Sequence, residues 1–87
     1  MSEGTRCYIT KFALSRGIME VHGIEEGGVV GCVLGGLSRY FYGEGREWHR
    51  TRESAVARAE KMRTRRIASL EKKIAQLKAL SFEEAQP

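Results

Sequence analysis

TRESAVARAEKMRTRRIASLEKKIAQLKALS, residues 51–81, contains neither Gly nor Pro and is dominated by Ala, Leu, Lys, Arg, Glu, Gln and Met. That composition predicts one continuous helix. Thirty residues of helix measure roughly 45 Å at about 1.5 Å per residue. A six-residue strand covers only about 20 Å. The rest of so short a chain cannot sheathe this helix from end to end, and part of it is expected to project.

Apolar positions divide the helix in two. Ala55, Val56, Ala59 and Met62 make one short stripe, and Ile67, Leu70, Ile74 and Leu77 make a second with 3-4-3 spacing. With Ile67 at heptad position a, Ile fills both a positions and Leu both d positions, the choice of two-stranded parallel coiled coils. Arg63, Arg65 and Arg66 lie between the stripes, and Arg63 and Arg66 fall inside the apolar sector. Either their stems snorkel over apolar surface, or the first half of the helix packs on the sheet and the second half meets another chain. The second reading predicts a homodimer with Ile67, Leu70, Ile74 and Leu77 at its interface. Charge leaves its orientation open: in a parallel pair Arg66 faces Glu71 of the partner copy, but Lys73 faces Lys78.

The 87 residues predict a single domain, with a sheet region over 1–50, the helix over 51–81 and a loose tail over 82–87. A lone core of this size is marginal, which favours oligomerisation. The opening MSEGTRCYITKFALSRG lacks the apolar core of a secretory leader, and no run approaches the roughly 20 apolar residues of a membrane span. A cytoplasmic protein that does not associate with membranes is expected. Cys7 and Cys32 form no CxxC and are read as buried reduced thiols. Net charge is +4, unevenly spread: residues 50–80 hold ten Lys or Arg against three Glu, while residues 1–49 hold five basic and six acidic groups. The chain has no Asp and no Asn, which removes the usual third member of Ser-His-Asp and Cys-His-Asn arrangements and the EF-hand loop.

Along the chain, Arg6–Leu14 mixes β-branched and aromatic residues as strands do. Ser15-Arg16-Gly17 supplies a turn, and Ile18–Glu25 reads as the return strand, with Ile18, Glu20 and His22 on one side and Met19 and Val21 on the other. A turn at Glu26-Gly27-Gly28 leads to Val29–Leu34, apolar on both faces, which Gly35-Gly36 ends. Arg39–Tyr42 and Arg46–Arg50 flank a three-residue loop, Gly43-Glu44-Gly45, with Tyr40, Tyr42 and His49 on a common side. Thr51 is the expected N-cap and Glu53 suits the first turn of the helix. Phe82 is a candidate to pack back at the helix end. The fold class is α+β: an antiparallel meander of three to five strands, then one long C-terminal helix. In the three-stranded variant the Gly-rich middle, 23–36, is a loop.

Catalytic and metal patterns are weak. His22 and His49 show no ligand spacing with each other or with the cysteines. The Gly-rich run 31–36 lacks the Lys-Ser/Thr of a phosphate loop. Neither enzymatic activity, nor a cofactor, nor a metal is expected. The aromatic cluster of Tyr40, Phe41, Tyr42 and Trp48, set among Arg39, Arg46 and Arg50, reads first as core beneath the helix, then as a protein-binding patch, then as a base-stacking surface.

Cys7-Tyr-Ile-Thr-Lys-Phe-Ala-Leu-Ser-Arg-Gly-Ile18 resembles the opening YITKYALTKGI of small uncharacterised accessory proteins encoded by phages, prophages and other mobile elements. The segments Tyr40–Ala55, Ala59–Arg63 and Ile67–Ile74 are similar to the rest of that pattern; Gly23–Ser38 is not. The resemblance carries no catalytic residues. It implies a phage-type binding protein, with inhibitors of host defence, anti-CRISPR proteins among them, as the functional class. The expected partner is a host defence protein or ribonucleoprotein complex. Contact residues are expected at Arg39, Tyr42, Arg46, Trp48, Arg63, Arg65 and Arg66, where aromatic and Arg side chains would act as anchors. The alternative is a dimeric basic protein that binds nucleic acid directly.

Overall fold

The computed structural model describes residues 4–83. Five strands, β1 (Thr5–Ile9), β2 (Met19–Glu26), β3 (Val29–Leu34), β4 (Leu37–Tyr42) and β5 (Trp48–His49), form one antiparallel sheet. A single helical turn, α1 (Ala13–Arg16), interrupts the first connection, and the long helix α2 (Arg52–Lys78) follows the sheet. The class is α+β, as the sequence predicts.

Sheet order is β4-β3-β2-β1-β5. β2 to β4 follow one another through two-residue turns, Gly27-Gly28 and Gly35-Gly36, in which all four glycines have positive φ. Such turns match the twist of paired strands and admit few residues other than Gly and Asn. β2 is shared end to end: Met19–Gly23 pairs with β1 and Ile24–Glu26 with β3. The changeover falls at Gly23, where an added Cβ would lie 2.5 Å from Val30 Cγ1 and 2.8 Å from the Gly31 carbonyl oxygen. Glycine is required there because two backbones approach too closely for a side chain.

The sheet curls around a small core of Cys7, Ile9, Val21, Val30, Cys32, Phe41 and Trp48, with Phe12, Met19 and Leu34 packed against it. In β2, Met19 and Val21 face inward and Glu20 and His22 outward, the alternation expected for a half-buried strand.

Three expectations are corrected. The first strand stops at Ile9, because the chain turns into α1: the Ala13 amide bonds the Thr10 carbonyl and the Arg16 amide bonds that of Phe12. The helical signal lies in Ala-Leu-Ser-Arg followed by Gly17 at φ 79°. Arg39–Tyr42 and Arg46–Arg50 do not form a hairpin. β4 and β5 lie on opposite edges, and β5 pairs with β1 through Tyr8 with His49 and Ile9 with Trp48. His49 is buried whereas Tyr40 and Tyr42 are exposed, so the three share no face. Finally, Phe82 does not pack back; it is 93% exposed. The loose ends expected of the chain fall mainly on residues 1–3 and 84–87, outside the described residues, and Thr5 already belongs to β1.

α2 starts as its sequence dictates. Thr51 is the N-cap, its Oγ1 accepting from the Ser54 amide at 3.2 Å, with Glu53 in the first turn and Lys78 in the last. Ala55 is buried, and Val56, Arg58, Ala59 and Met62 are half-buried. This first portion packs on β1, β5 and α1. From Arg63 to Glu83 every residue is exposed. The helix therefore projects, and the molecule measures 69 × 29 × 22 Å. Among the described residues no helix is long and apolar enough to cross a membrane.

Gly23→Ala should lower stability to urea unfolding by about 1–3 kcal/mol, the usual cost of forcing a methyl group into packed structure. An unfolding midpoint equal to that of the wild type would show that the β2 changeover does not need glycine.

Candidate interaction surfaces

The residues expected to make contacts fall into separate places. Arg39 and Tyr42 lie on β4, at one edge of the sheet. Arg63, Arg65 and Arg66 lie on the projecting part of α2, which leaves the opposite side, where it packs on β1 and β5. Arg46 is exposed in the connection between β4 and β5.

Trp48 is not a surface residue, which corrects its place among the expected contacts. It is fully buried, and its indole Nε1 donates to the Gly28 carbonyl at 2.9 Å, across the fold in the β2–β3 turn. A buried indole needs such an acceptor. Arg50 closes over it with its guanidinium 5.1 Å from the ring centroid. That guanidinium is itself held by Glu44 at 3.0 Å and Glu25 at 3.2 Å. Arg50 thus serves as a lid on the core.

One hollow gathers groups that the sequence does not bring together. It opens between α1 and the β3–β4 hairpin, with a volume of about 680 Å³. Phe12, Met19, Leu34 and Phe41 form its apolar floor, and Lys11, Arg16 and Arg39 its basic rim. The Phe12 and Phe41 rings meet edge to face at 6.3 Å. Lys11 Nζ and Arg16 Cζ lie 5.8 and 5.6 Å from the Phe12 centroid, and Lys11 also reaches Glu47 at 3.9 Å. An apolar floor with cations at the edge suits a partner that presents an apolar side chain beside a carboxylate or phosphate. Only Arg39 and Tyr42 of this lining are legible as candidates in the sequence. Lys11, Phe12 and Arg16 read there as strand and turn, and α1 is what turns them toward β4.

The outer face of the sheet carries a second, shallower depression of about 730 Å³ lined by His22, Ile24, Val33 and Tyr40. Tyr40 lies across Gly31, where an added Cβ would come within 3.1 Å of the ring.

Beneath the helix start, a polar chain runs through the core. Thr10 Oγ1 donates to the Arg46 carbonyl at 2.8 Å and so accepts from His49 Nε2 at 3.0 Å. That leaves His49 Nδ1 as acceptor for the Ser54 hydroxyl at 2.7 Å. The imidazole is thereby fixed as the neutral Nε2–H tautomer. A Ser-His pair with an orienting Thr has the outline of a nucleophile and base. Yet His49 is buried, and neither it nor Ser54 lines any of the hollows described above. The arrangement ties α2 to β1 and β5. Burial pushes the His49 pKa below its ordinary 6.5, with the Arg58 charge adding to the effect and Glu44 opposing it. Burial likewise raises both thiols, Cys7 and Cys32, which are free and sit in the core. Among the described residues no group of three His, Cys, Asp or Glu converges as a metal site would require.

Compared with known proteins, the chain matches no family model, no curated protein and no solved structure at a significant level.

The His49 shift sets a direction for acid stability. Above pH 6.5 both folded and unfolded states hold the imidazole neutral. As pH falls below 6.5 the unfolded chain takes up the proton first, so stability declines until the lower folded-state pKa is passed. Urea unfolding between pH 7.5 and 5 should show this decline, and His49→Gln should flatten it. Equal slopes for the two proteins would remove His49 as the cause.

Proposed function

We propose that this chain is a non-enzymatic binding protein that works as a homodimer joined through the distal half of α2. The observation that carries this reading is the row of Ile67, Leu70, Ile74 and Leu77, exposed by 48, 41, 50 and 65% on a helix that no other described part of the chain covers. Four aliphatic side chains at 3-4-3 spacing in water are a poor monomer surface and a good seam. Burying each is worth roughly 1.5–3 kcal/mol, against an association cost of about 4–15 kcal/mol. The balance supports dimers at micromolar concentration.

The partner class comes from the resemblance to phage-type accessory proteins: a component of a bacterial defence system, such as a CRISPR effector, which the protein would inhibit by binding in the host cytoplasm. The hollow rimmed by Lys11, Arg16 and Arg39 and the exposed Arg63, Arg65 and Arg66 support an acidic target surface, either protein or ribonucleoprotein. Co-expression with candidate defence systems, scored by phage plating, tests this. Loss of protection in one system, restored by Arg16→Glu with Arg39→Glu, is the expected result. Unchanged protection in every system would refute the inhibitor reading.

A second reading is favoured by the charge of α2 itself, with ten Lys or Arg against three Glu over residues 50–80. Such a helix, paired with its copy, could bind nucleic acid directly. Mobility-shift titrations on duplex and single-stranded DNA and RNA at two salt concentrations separate the two. Phosphate binding must weaken steeply with salt, and no shift at low salt eliminates it.

For the dimer, Leu70→Glu with Ile74→Glu should yield a monomer by sedimentation while circular dichroism still shows the folded sheet and helix. Collapse of the whole fold would mean that these residues stabilise the domain from within.

A further inference from the structure

We infer that the dimer is antiparallel and that Phe82 of each copy seats in a hollow of the other, between α1 and α2. The inference rests on the dimer proposed above and adds its orientation and a second docking site.

The hollow lies where α1 leans on the helix. It holds about 260 Å³ and is lined by Ala13, Leu14 and Ile18 on one side and Val56, Ala59 and Arg63 on the other. Leu14 at its lip is 51% exposed. At about 100° per residue, counting from Ala55, Val56 stands near 100°, Ala59 near 40° and Arg63 near 80°. Ile67, Leu70, Ile74 and Leu77 follow near 120°, 60°, 100° and 40° by the same count. The hollow and the seam therefore lie on one line along α2, and a helix laid on the seam points into the hollow.

That alignment decides orientation. In a parallel pair, the partner helix would continue along the line past Ile67 toward Ala59, into the strip that α1 flanks, and would bring its own sheet to the same level. In an antiparallel pair, Ile67 meets Leu77 and Leu70 meets Ile74, so the arrangement is symmetric about residue 72. The partner helix then ends as it reaches the domain. Its last cap residue, Ala79, lies at the level of residue 65. Three residues of extended chain cover about 10 Å, equal to the rise of roughly seven helical residues. Phe82 is thereby carried to the level of Ala59, at the hollow. It is the most exposed large apolar side chain among the described residues.

Charge is complementary at the same place. Glu83 follows Phe82 in sequence and arrives beside a segment that carries Lys61, Arg63, Arg65 and Arg66. This accounts for an arginine at position 63 inside an otherwise apolar line: it closes the hollow and faces the partner's acidic end. Glu71 and Lys73 each meet their own copy near the two-fold axis, but exposed like pairs of this kind are weak.

Two measurements test the inference on the full chain. In sedimentation velocity, Phe82→Ala should raise the dimer dissociation constant about tenfold, as loss of an aromatic anchor does, with an unchanged circular dichroism melt of the sheet. For orientation, Phe82→Cys and Leu14→Cys chains are mixed and mildly oxidised, with the wild type, whose Cys7 and Cys32 are buried, as the control. A disulfide between position 82 of one chain and position 14 of the other is expected, with little 82–82 product. Rapid 82–82 crosslinking, or a Phe82→Ala dimer as tight as the wild type, overturns the inference and leaves the dimer standing. A wild type that is monomeric throughout overturns both.

Discussion

The structure depends on a mismatch of lengths. A helix of 27 residues is set against strands of two to eight, and the sheet's core can cover only its first turns. Ala55, Val56, Ala59 and Met62 give up their exposure to β1, β5 and α1, and after Met62 no described part of the sheet remains to pack against. Helix propensity alone keeps the remainder helical only weakly, since isolated helical segments of this length are marginal in water. The chain compensates with strong helix formers throughout and with no Gly or Pro between Thr51 and Ser81. A projecting helix of that kind gains most from a second copy, which supplies the tertiary contact its own domain lacks.

The sheet solves the opposite problem, too little material for a core. It does so by curling until its ends share one indole. Trp48 on β5 reaches the turn between β2 and β3, so the edge added last is pinned to the far side of the fold. Arg50 then seals the indole with a guanidinium held by Glu25 and Glu44, residues that come from β2 and from the β4–β5 connection. Each of these exposed ion pairs is worth little alone. Their use is geometric: they hold the lid over an aromatic residue whose burial matters more.

Local chemistry makes much of this legible. The Thr51 cap, the Val29–Leu34 strand and the Gly27-Gly28 and Gly35-Gly36 turns are written in short-range pattern, because capping, alternation and positive φ are properties of a few neighbouring residues. The division of α2 at Arg63 is also readable, since the apolar stripe breaks there. What escapes depends on distant partners. Nothing around Trp48 and His49 says that they pair with Ile9 and Tyr8 rather than with β4, and a tryptophan among arginines reads as readily as a surface anchor as a capped core residue. The basic-rimmed hollow escapes for a similar reason: Lys11, Phe12 and Arg16 meet Arg39 only because one helical turn folds them back toward β4.

The arginines of this chain therefore cannot be weighed by number. Arg50 is committed to two carboxylates and an indole. Arg6 is paired with Glu20 across β1 and β2 at 3.2 Å. Arg58 lies half-buried beside His49, and its Nε has no hydrogen-bond partner among the described residues. Those charges are engaged within the fold and add little to the field outside it. Arg16 and Arg39 stand around an apolar floor, where low-dielectric walls strengthen attraction to an anionic group. Arg63, Arg65 and Arg66 stand in open water on the projecting helix, where salt screens them within about 10 Å. A net charge of +4 thus resolves into an internal set that holds the sheet together and two external sets of different character. The groove set favours a shaped, partly apolar partner, and the helix set favours any extended anionic surface, including the acidic end of a second copy.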